Sequence, residues 1–364
     1  MRMLDLFSGI GGFHKGFEQA GWSFDWVGFS EIDKYASAVY KHRFPNAKEL
    51  GDITAIRPER DLPDHIDILC GGFPCQAFST AGKRKGFDDT RGTLFFEIAR
   101  ILRHYRDTGK PIDCFVLENV KGLLSHDNGR TFAVIYRVLT DLDYTVECQL
   151  LNTRWVLPQN RERIYIVGHI GRGSRAKVFP VGEDGAGHNE ERISRKTATG
   201  QGQGMQHTQD RRGCALPGDG QVKAVIGTER IMKNQNGRRI KEHNEPMFTL
   251  SAQDQHGVMQ DYTIINKQGQ SKNNQEYAAT LQGGGNSGGN HSDMDLLQYK
   301  QTNIRRLTPI ECERLQGFPD QWTSKGNLDG KVVNISDTQR YKQCGNAVSV
   351  PIVQLVAEKI HDNI

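Results

Sequence analysis

The chain has 364 residues, 36% hydrophobic and 25% charged, with a formal net charge of +4 at neutral pH. One hydrophobic core rarely grows past roughly 250–300 residues, so a main domain with a second, smaller one is expected. No run of about 18 apolar residues could span a bilayer, and Met1-Arg2-Met3-Leu4 meets the charge of Asp5 where a secretory core would continue. Seven scattered cysteines resemble no disulfide framework, and no Cys-x-x-Cys or Cys/His cluster suggests zinc. The expectation is a cytoplasmic protein without a metal, whose small charge does not decide for or against nucleic acid.

Strand-like runs near Met3–Phe7, Phe24–Phe29, Ile66–Cys70, Ile112–Glu118, Thr145–Leu150 and Ile164–Gly168 are interleaved with helical spacing over Tyr35–Arg43, Leu94–Tyr105 and Thr131–Leu142. That alternation predicts an α/β fold, a Rossmann-like, doubly wound and mostly parallel sheet over residues 1–169. From residue 170 the texture changes, with 20 of the 40 glycines falling in residues 170–300 among Gln, Asn and His. Such composition fits a disordered linker, but the apolar islands Ala224–Ile226, Met247–Leu250 and Ile264-Ile265 favour a small, irregular, glycine-rich β domain over residues 170–303. Helical spacing returns in Pro309–Gln316 and Val350–His361, so residues 304–364 are expected to pack partly back onto the first domain.

Four segments carry chemistry. Asp5-Leu6-Phe7-Ser8-Gly9-Ile10-Gly11-Gly12 places a glycine turn after the first strand, where a doubly wound sheet meets a nucleotide-like ligand. His14 stands where a dinucleotide fingerprint would want its third glycine, which disfavours a pyrophosphate. Glu31 closes the second strand, 22 residues after Gly9, where a carboxylate can accept from two ribose hydroxyls. Asp52 could hold an adenine amino group, with Ile53 and Phe7 packing the ring, or it could be a turn or cap residue.

Gly71-Gly72-Phe73-Pro74-Cys75-Gln76 sets a cysteine after a proline at a strand end, in a turn that two glycines let approach a ligand. A cysteine is ordinarily a small buried hydrophobe, and Cys70, Cys114 and Cys148, in apolar strands, are read that way. The polar, strand-end setting of Cys75 suits a nucleophile instead. Leu117-Glu118-Asn119-Val120 ends another strand, so its carboxylate would emerge at the same sheet edge and could act as a general acid, or could be a cap or a solvated charge. In Gln159-Asn160-Arg161-Glu162-Arg163 the two arginines would share a side of an extended segment, to meet a base and a phosphate or merely to line a surface.

Together with Gln343-Cys344-Gly345-Asn346-Ala347-Val348, these segments resemble, in order and spacing, the C5-cytosine DNA methyltransferases of bacterial restriction–modification systems. The resemblance covers residues 3–168 and 304–355. It implies an S-adenosylmethionine-dependent methyltransferase fold, with Phe7, Gly9, Gly11, Glu31, Asp52, Ile53, Pro74, Leu94 and Asn346 around the cofactor. It further implies Cys75 as nucleophile on carbon 6 of a flipped cytosine, Glu118 at N3, Arg163 at O2, and Arg161 fixing the groups nearby.

In the same family a lid such as Gln76–Arg91 closes over duplex DNA, so Gln76, Ser79, Lys83, Arg84 and Arg91 are expected to touch it. The variable region, here about residues 170–303 with 17 Lys/Arg against 14 Asp/Glu, would read the target sequence. Arg211-Arg212 and Arg238-Arg239 could read guanine or hold phosphate. Thr249-Leu250 and Thr280-Leu281 each resemble the family's recognition element, the second at the more family-like distance from Arg305. A monomer is implied, and a restriction endonuclease sharing the target would be its biological counterpart. An RNA cytosine methyltransferase is disfavoured by the length of the insert, and a catalytically silent regulator by the intact Cys75, Glu118 and Arg163.

Overall fold

The structure is a computed structural model. It describes residues 1–74, 94–171, 177–181, 245–250 and 307–361, together with the backbone of the strands at 222–226, 256–260, 263–265, 296–298 and 305–306. The chain forms two compact units. The first comprises Met1–Cys214, Thr249–Gln253 and Thr308–Ile364; the second comprises Ala215–Phe248 and Asp254–Leu307.

The first unit is built on a seven-stranded sheet of β1 (Arg2–Leu6), β2 (Trp26–Ser30), β3 (Lys48–Glu49), β4 (Ile68–Gly72), β5 (Cys114–Val120), β6 (Tyr144–Asn152) and β7 (Glu162–Ile170). Their order is β3-β2-β1-β4-β5-β7-β6, with β7 antiparallel to both β5 and β6 and the remaining pairs parallel. The predicted α/β sheet is therefore present, and the order in which its strands are added reverses between the parallel neighbours β1 and β4, the point where such sheets open a crevice for ligands.

Continuous burial along β1, β4 and β5 follows from cover on both faces. Leu4, Leu6, Leu69, Phe115 and Leu117 point to one layer, built from α4 (Leu94–Asp107) and α5 (Arg130–Thr140), while Met3, Ile68, Cys70 and Val116 point to the other. These helices follow α1 (Gly12–Gln19), α2 (Lys34–Arg43) and the short α3 (Pro58–Asp61).

The chain's last helices, α6 (Pro309–Gln316), α7 (Asp337–Asn346) and α8 (Val350–His361), belong to the first unit. Gly12 and Gly16 lie on one face of α1, one helical turn apart. A Cβ at either would fall 2.6 Å from Val348 or 2.5 Å from Val353. The glycines thus permit backbone-close packing of α1 against α8, and Trp22 adds a hydrogen bond from Nε1 to the Ala357 carbonyl at 3.1 Å.

The hairpin β13 (Lys325–Leu328) and β14 (Lys331–Asn334) turns through Asp329-Gly330, both at positive φ, which suits a two-residue loop. One cysteine departs from the reading. Cys148 is exposed, because β6 is the sheet's edge strand and leaves part of its surface open, whereas Cys70 and Cys114 are buried in inner strands as expected.

The second unit carries β8 (Val222–Ile226) and β9 (His256–Gln260) as an antiparallel pair extended by β12 (Arg305–Arg306), and a separate pair, β10 (Thr263–Ile265) with β11 (Leu296–Gln298). Among the described residues no helix is long and apolar enough to cross a membrane.

Candidate active site

The carboxyl ends of β1, β2, β4 and β5 and the start of β7 meet at one edge of the sheet. At the end of β1 the chain turns through Phe7, Gly9 and Gly11, all at positive φ. Among the described residues nothing lies within 4 Å of where a Gly9 Cβ would stand, so the turn is open at Gly9, whereas a Cβ on Gly11 would fall 2.5 Å from the Phe44 ring. Its Gly9 N–H donates to Glu31 Oε2 at 2.8 Å, and the Asp33 N–H donates to Oε1 at 2.8 Å. The strand-end carboxylate is thereby aimed by two backbone donors, and each oxygen retains a second lone pair for a ligand hydroxyl.

Ser30 Oγ holds the Gly51 carbonyl at 2.6 Å, bringing the next loop to the same place. There Asp52 caps a short helical turn by accepting from the Thr54 N–H at 2.9 Å, so the cap reading accounts for its present contact. Ile53 is buried in the core, Phe7 and Leu94 pack at the core's margin, and Pro74 is exposed. Ile32, 78% exposed directly after Glu31, escaped the sequence reading. An apolar residue following a strand-end acid was the available signal. With the orphan hydroxyl of buried Ser8, which meets no partner among the described residues, the turn fits a nucleoside cofactor: open backbone, a carboxylate for hydroxyls and an apolar platform.

Beneath this turn runs a buried polar chain that sequence reasoning also missed. Cys70 Sγ and Tyr40 Oη donate to the two oxygens of Asp5 at 3.6 and 3.2 Å, and Tyr40 Oη lies 3.1 Å from His14 Nδ1. Burial pushes Asp5 up to about 7 and His14 down to about 4. His14 is stacked on Phe44 with ring centroids 3.7 Å apart, which is why this position carries a ring and no glycine.

On the other side of the switch point, Glu118 is 8% exposed on β5. It pairs in register with Gly72 of β4 and Tyr165 of β7, while Val120 pairs with Arg163. Glu118 and Arg163 are therefore diagonal neighbours on one face, with Arg163 Nε 3.1 Å from Glu118 Oε1. That contact is close enough for an ion pair but poorly aligned, and Oε1 has no directed hydrogen bond among the described residues.

Burial raises the Glu118 pKa, while the positive charges of Arg163 and Arg161 act in the opposite direction. A carboxyl so placed can hold a proton for a ring nitrogen. A Cβ on Gly72 would come within 3.2 Å of Glu118 Oε2, so the glycine keeps the acid's approach clear. Asn119 donates from Nδ2 to the Phe73 carbonyl at 2.9 Å and fixes the turn that leads to Pro74.

Arg161 is 3% exposed, and its guanidinium donates to three carbonyls: Leu250 at 3.1 Å, Gly345 at 3.3 Å and Ala347 at 2.8 Å. Burial lowers its pKa to about 10. Asn346 stands between two of those carbonyls and is exposed. Thr249 donates to the Asn160 carbonyl, and Leu250 is buried. Cys75, Gln76, Ser79, Lys83, Arg84, Arg91, Thr280 and Leu281 lie outside the described residues.

This fold recurs in solved structures. A DNMT2 variant from Spodoptera frugiperda superposes with a TM-score of 0.59 at 18% identity, covering 99% of each chain. A prophage-encoded DNA modification methyltransferase from E. coli gives a TM-score of 0.52 at 16% identity, covering 100% of this chain and 99% of that one. Both share the methyltransferase type of sheet.

In sequence the chain is 39% identical to the Type II methyltransferase M1.ScrFI of Lactococcus lactis subsp. cremoris, over 99% of this chain and 77% of that protein. It is 38% identical to the Type II methyltransferase M.SsoII of Shigella sonnei, over 99% and 79%. The family model described as C-5 cytosine-specific DNA methylase matches residues 1–362. The chain belongs to that family and is a DNA (cytosine-5-)-methyltransferase.

Proposed function

We propose that the protein methylates carbon 5 of a cytosine within one short duplex DNA sequence, takes the methyl group from S-adenosylmethionine, and protects that sequence from a restriction endonuclease. The observation that carries this reading is the enclosed Glu118–Arg163 pair beside Gly72, on the strand end that leads to Cys75. The Type II relatives support a restriction–modification setting.

S-adenosylmethionine, when bound, supplies an electrophilic methyl group. Phe7, Gly9, Gly11, Glu31, Asp52, Ile53, Pro74, Leu94 and Asn346 would hold it, with Ile32 added as the exposed apolar platform. Carbon 5 of cytosine is a poor nucleophile, so the Cys75 thiolate adds to carbon 6 and pushes electron density to carbon 5. Glu118 donates its proton to N3 as that density moves, which the raised pKa favours, and Arg163 steadies O2. After carbon 5 has gained its methyl group, loss of its remaining proton to solvent re-forms the double bond to carbon 6 and expels the Cys75 thiolate, while N3 returns its proton to the Glu118 carboxylate.

Carbon 6 is shielded in a stacked duplex, so the base is flipped out at a cost of a few kcal/mol. Gln76, Ser79, Lys83, Arg84 and Arg91 would close on the DNA, and Thr249-Leu250 or Thr280-Leu281 would serve target recognition.

The test is transfer of labelled methyl to mixed-sequence duplex DNA by the wild type and by Cys75→Ser, with methylated positions mapped by sequencing. The expected result is 5-methylcytosine in one short motif with the wild type and none with the variant. A folded wild type that binds cofactor yet labels RNA and not duplex DNA would overturn the proposal.

A further inference from the structure

Ile10 sits in the glycine turn between two residues at positive φ, Gly9 and Gly11, and the peptide that follows it is held at both ends. The Gly11 N–H donates to the Ser8 carbonyl at 2.9 Å, and the Ile10 carbonyl accepts from Trp322 Nε1 at 3.0 Å. Ile10 and Trp322 are both buried, so loss of the indole donor leaves that carbonyl unsatisfied. The turn is thus gripped twice, by Glu31 at the Gly9 N–H and by Trp322 at the Ile10 carbonyl.

Trp322 is itself firmly placed. Arg43, the last residue of α2, donates from Nε to the Trp322 carbonyl at 2.7 Å and from Nη2 to the Gln321 carbonyl, and its guanidinium carbon lies 4.9 Å from the centre of the Trp322 ring. Gln321 has a φ of 61°, a left-handed conformation that a non-glycine residue keeps only where its surroundings hold it. Thr323 gives its N–H and its hydroxyl to Glu313 of α6, which Arg340 of α7 also grips at 3.0 Å. Phe44 and Phe318 flank the indole, with ring centroids 5.8 and 5.4 Å away.

These contacts close a ring around the turn: Glu31 follows β2, α2 comes next, Arg43 at the end of α2 fixes Trp322, and Trp322 reaches back to Ile10. Resting on the proposed cofactor site, we infer that Trp322 is a positioning residue for S-adenosylmethionine. Its indole N–H sets the Ile10–Gly11 peptide so that the turn stays open at Gly9 and Glu31 stays aimed at the nucleoside hydroxyls, while Arg43 holds the indole in place. An interaction made equally in the ground and transition states moves KM for the cofactor and leaves kcat alone.

The experiment measures the S-adenosylmethionine dissociation constant by calorimetry, with kcat and both KM values on a duplex carrying the mapped motif. The proteins are wild type, Trp322→Phe, Arg43→Lys, Glu31→Ala, and the double variants that join Glu31→Ala to each of the first two. Phenylalanine keeps an aromatic ring between Phe44 and Phe318 and removes only the donor. Trp322→Phe is expected to weaken cofactor binding by about 10-fold, with kcat at saturating cofactor and KM for DNA within about twofold. Because Trp322 and Glu31 act on one turn, that loss should shrink to about threefold or less in the Glu31→Ala background. Lysine cannot serve two carbonyls and stack from one planar group, so Arg43→Lys should weaken cofactor binding in the same way by about threefold.

Cofactor binding within about twofold of wild type in a folded Trp322→Phe would overturn the inference. So would a loss spread equally over cofactor binding, KM for DNA and kcat, or one that adds in full to the loss of Glu31→Ala, since either marks general support of the fold. If Trp322→Phe fails to fold by circular dichroism, Arg43→Lys and its double variant decide by the same criteria. A folded wild type that binds no S-adenosylmethionine would overturn the proposed cofactor site itself, and the inference with it.

Discussion

Glu31 and Glu118 stand at the same edge of one sheet, on either side of its switch point, and are treated in opposite ways. Glu31 is half-buried and receives two backbone N–H groups, so its oxygens are fixed as acceptors. Glu118 is buried beside arginines, its Oε1 short of a directed hydrogen bond among the described residues, and its pKa is raised. Backbone donors make a carboxylate a hydroxyl receptor, whereas enclosure makes it a proton holder.

The sharpest way to break this contrast is Glu118→Gln, which keeps shape and removes the acid. It should lower kcat by about 10²- to 10⁴-fold while leaving the cofactor dissociation constant within about twofold, measured by single-turnover methylation and by calorimetry. Equal losses in rate and cofactor binding would erase the distinction between the two sites.

Arg163→Gln should cost about 10²- to 10³-fold in rate and also change its pH dependence. Arg163 pulls the Glu118 pKa down, so its removal lets the acid stay protonated to higher pH. The alkaline limb of the kcat profile should move upward, and a downward move would contradict the assigned sign.

Glu31→Ala should weaken cofactor binding by about 10- to 100-fold, the worth of two hydrogen bonds, with a smaller effect on rate at saturation. The smallest effect is expected at Asp5. Its folded pKa of about 7 lies above the ordinary 3.8, so its ionisation costs stability progressively as pH rises from about 4 to 7. His14, lowered from 6.5 to about 4, works the other way, adding stability over about pH 4 to 6.5 as pH rises. Asp5→Asn should remove the first trend, so relative to wild type its urea midpoint should gain steadily between pH 5 and 7.

Much of the sheet was legible because buried strands write themselves as apolar runs, and the runs near Met3, Ile66, Ile112 and Ile164 correspond to β1, β4, β5 and β7. The glycine turn and Glu31 were legible from spacing, and their hydrogen bond joins them directly. What could not be read was pairing across the chain. The Asp5–Tyr40–His14 chain joins residues up to 35 apart, and the three carbonyls that occupy Arg161 come from 89 to 186 residues away. β3, only Lys48–Glu49, is too short to leave a period, and α7, with Gln, Lys and Arg throughout, has a weak apolar stripe. The Asp329-Gly330 hairpin was readable from its turn dipeptide and was passed over.

The packing of α1 against α8 sets the order in which this molecule can be made. The groove that receives Val348 and Val353 is cut by Gly12 and Gly16 near the start of the chain, yet its filling arrives only with the last helix and the residues just before it. A ribosome therefore releases β1, the glycine turn and α1 long before their apolar cover exists, and the second unit is translated in between. Long-range closure of this kind delays completion of a fold and leaves surface exposed while it waits. The first unit is therefore completed only after the second has been synthesised.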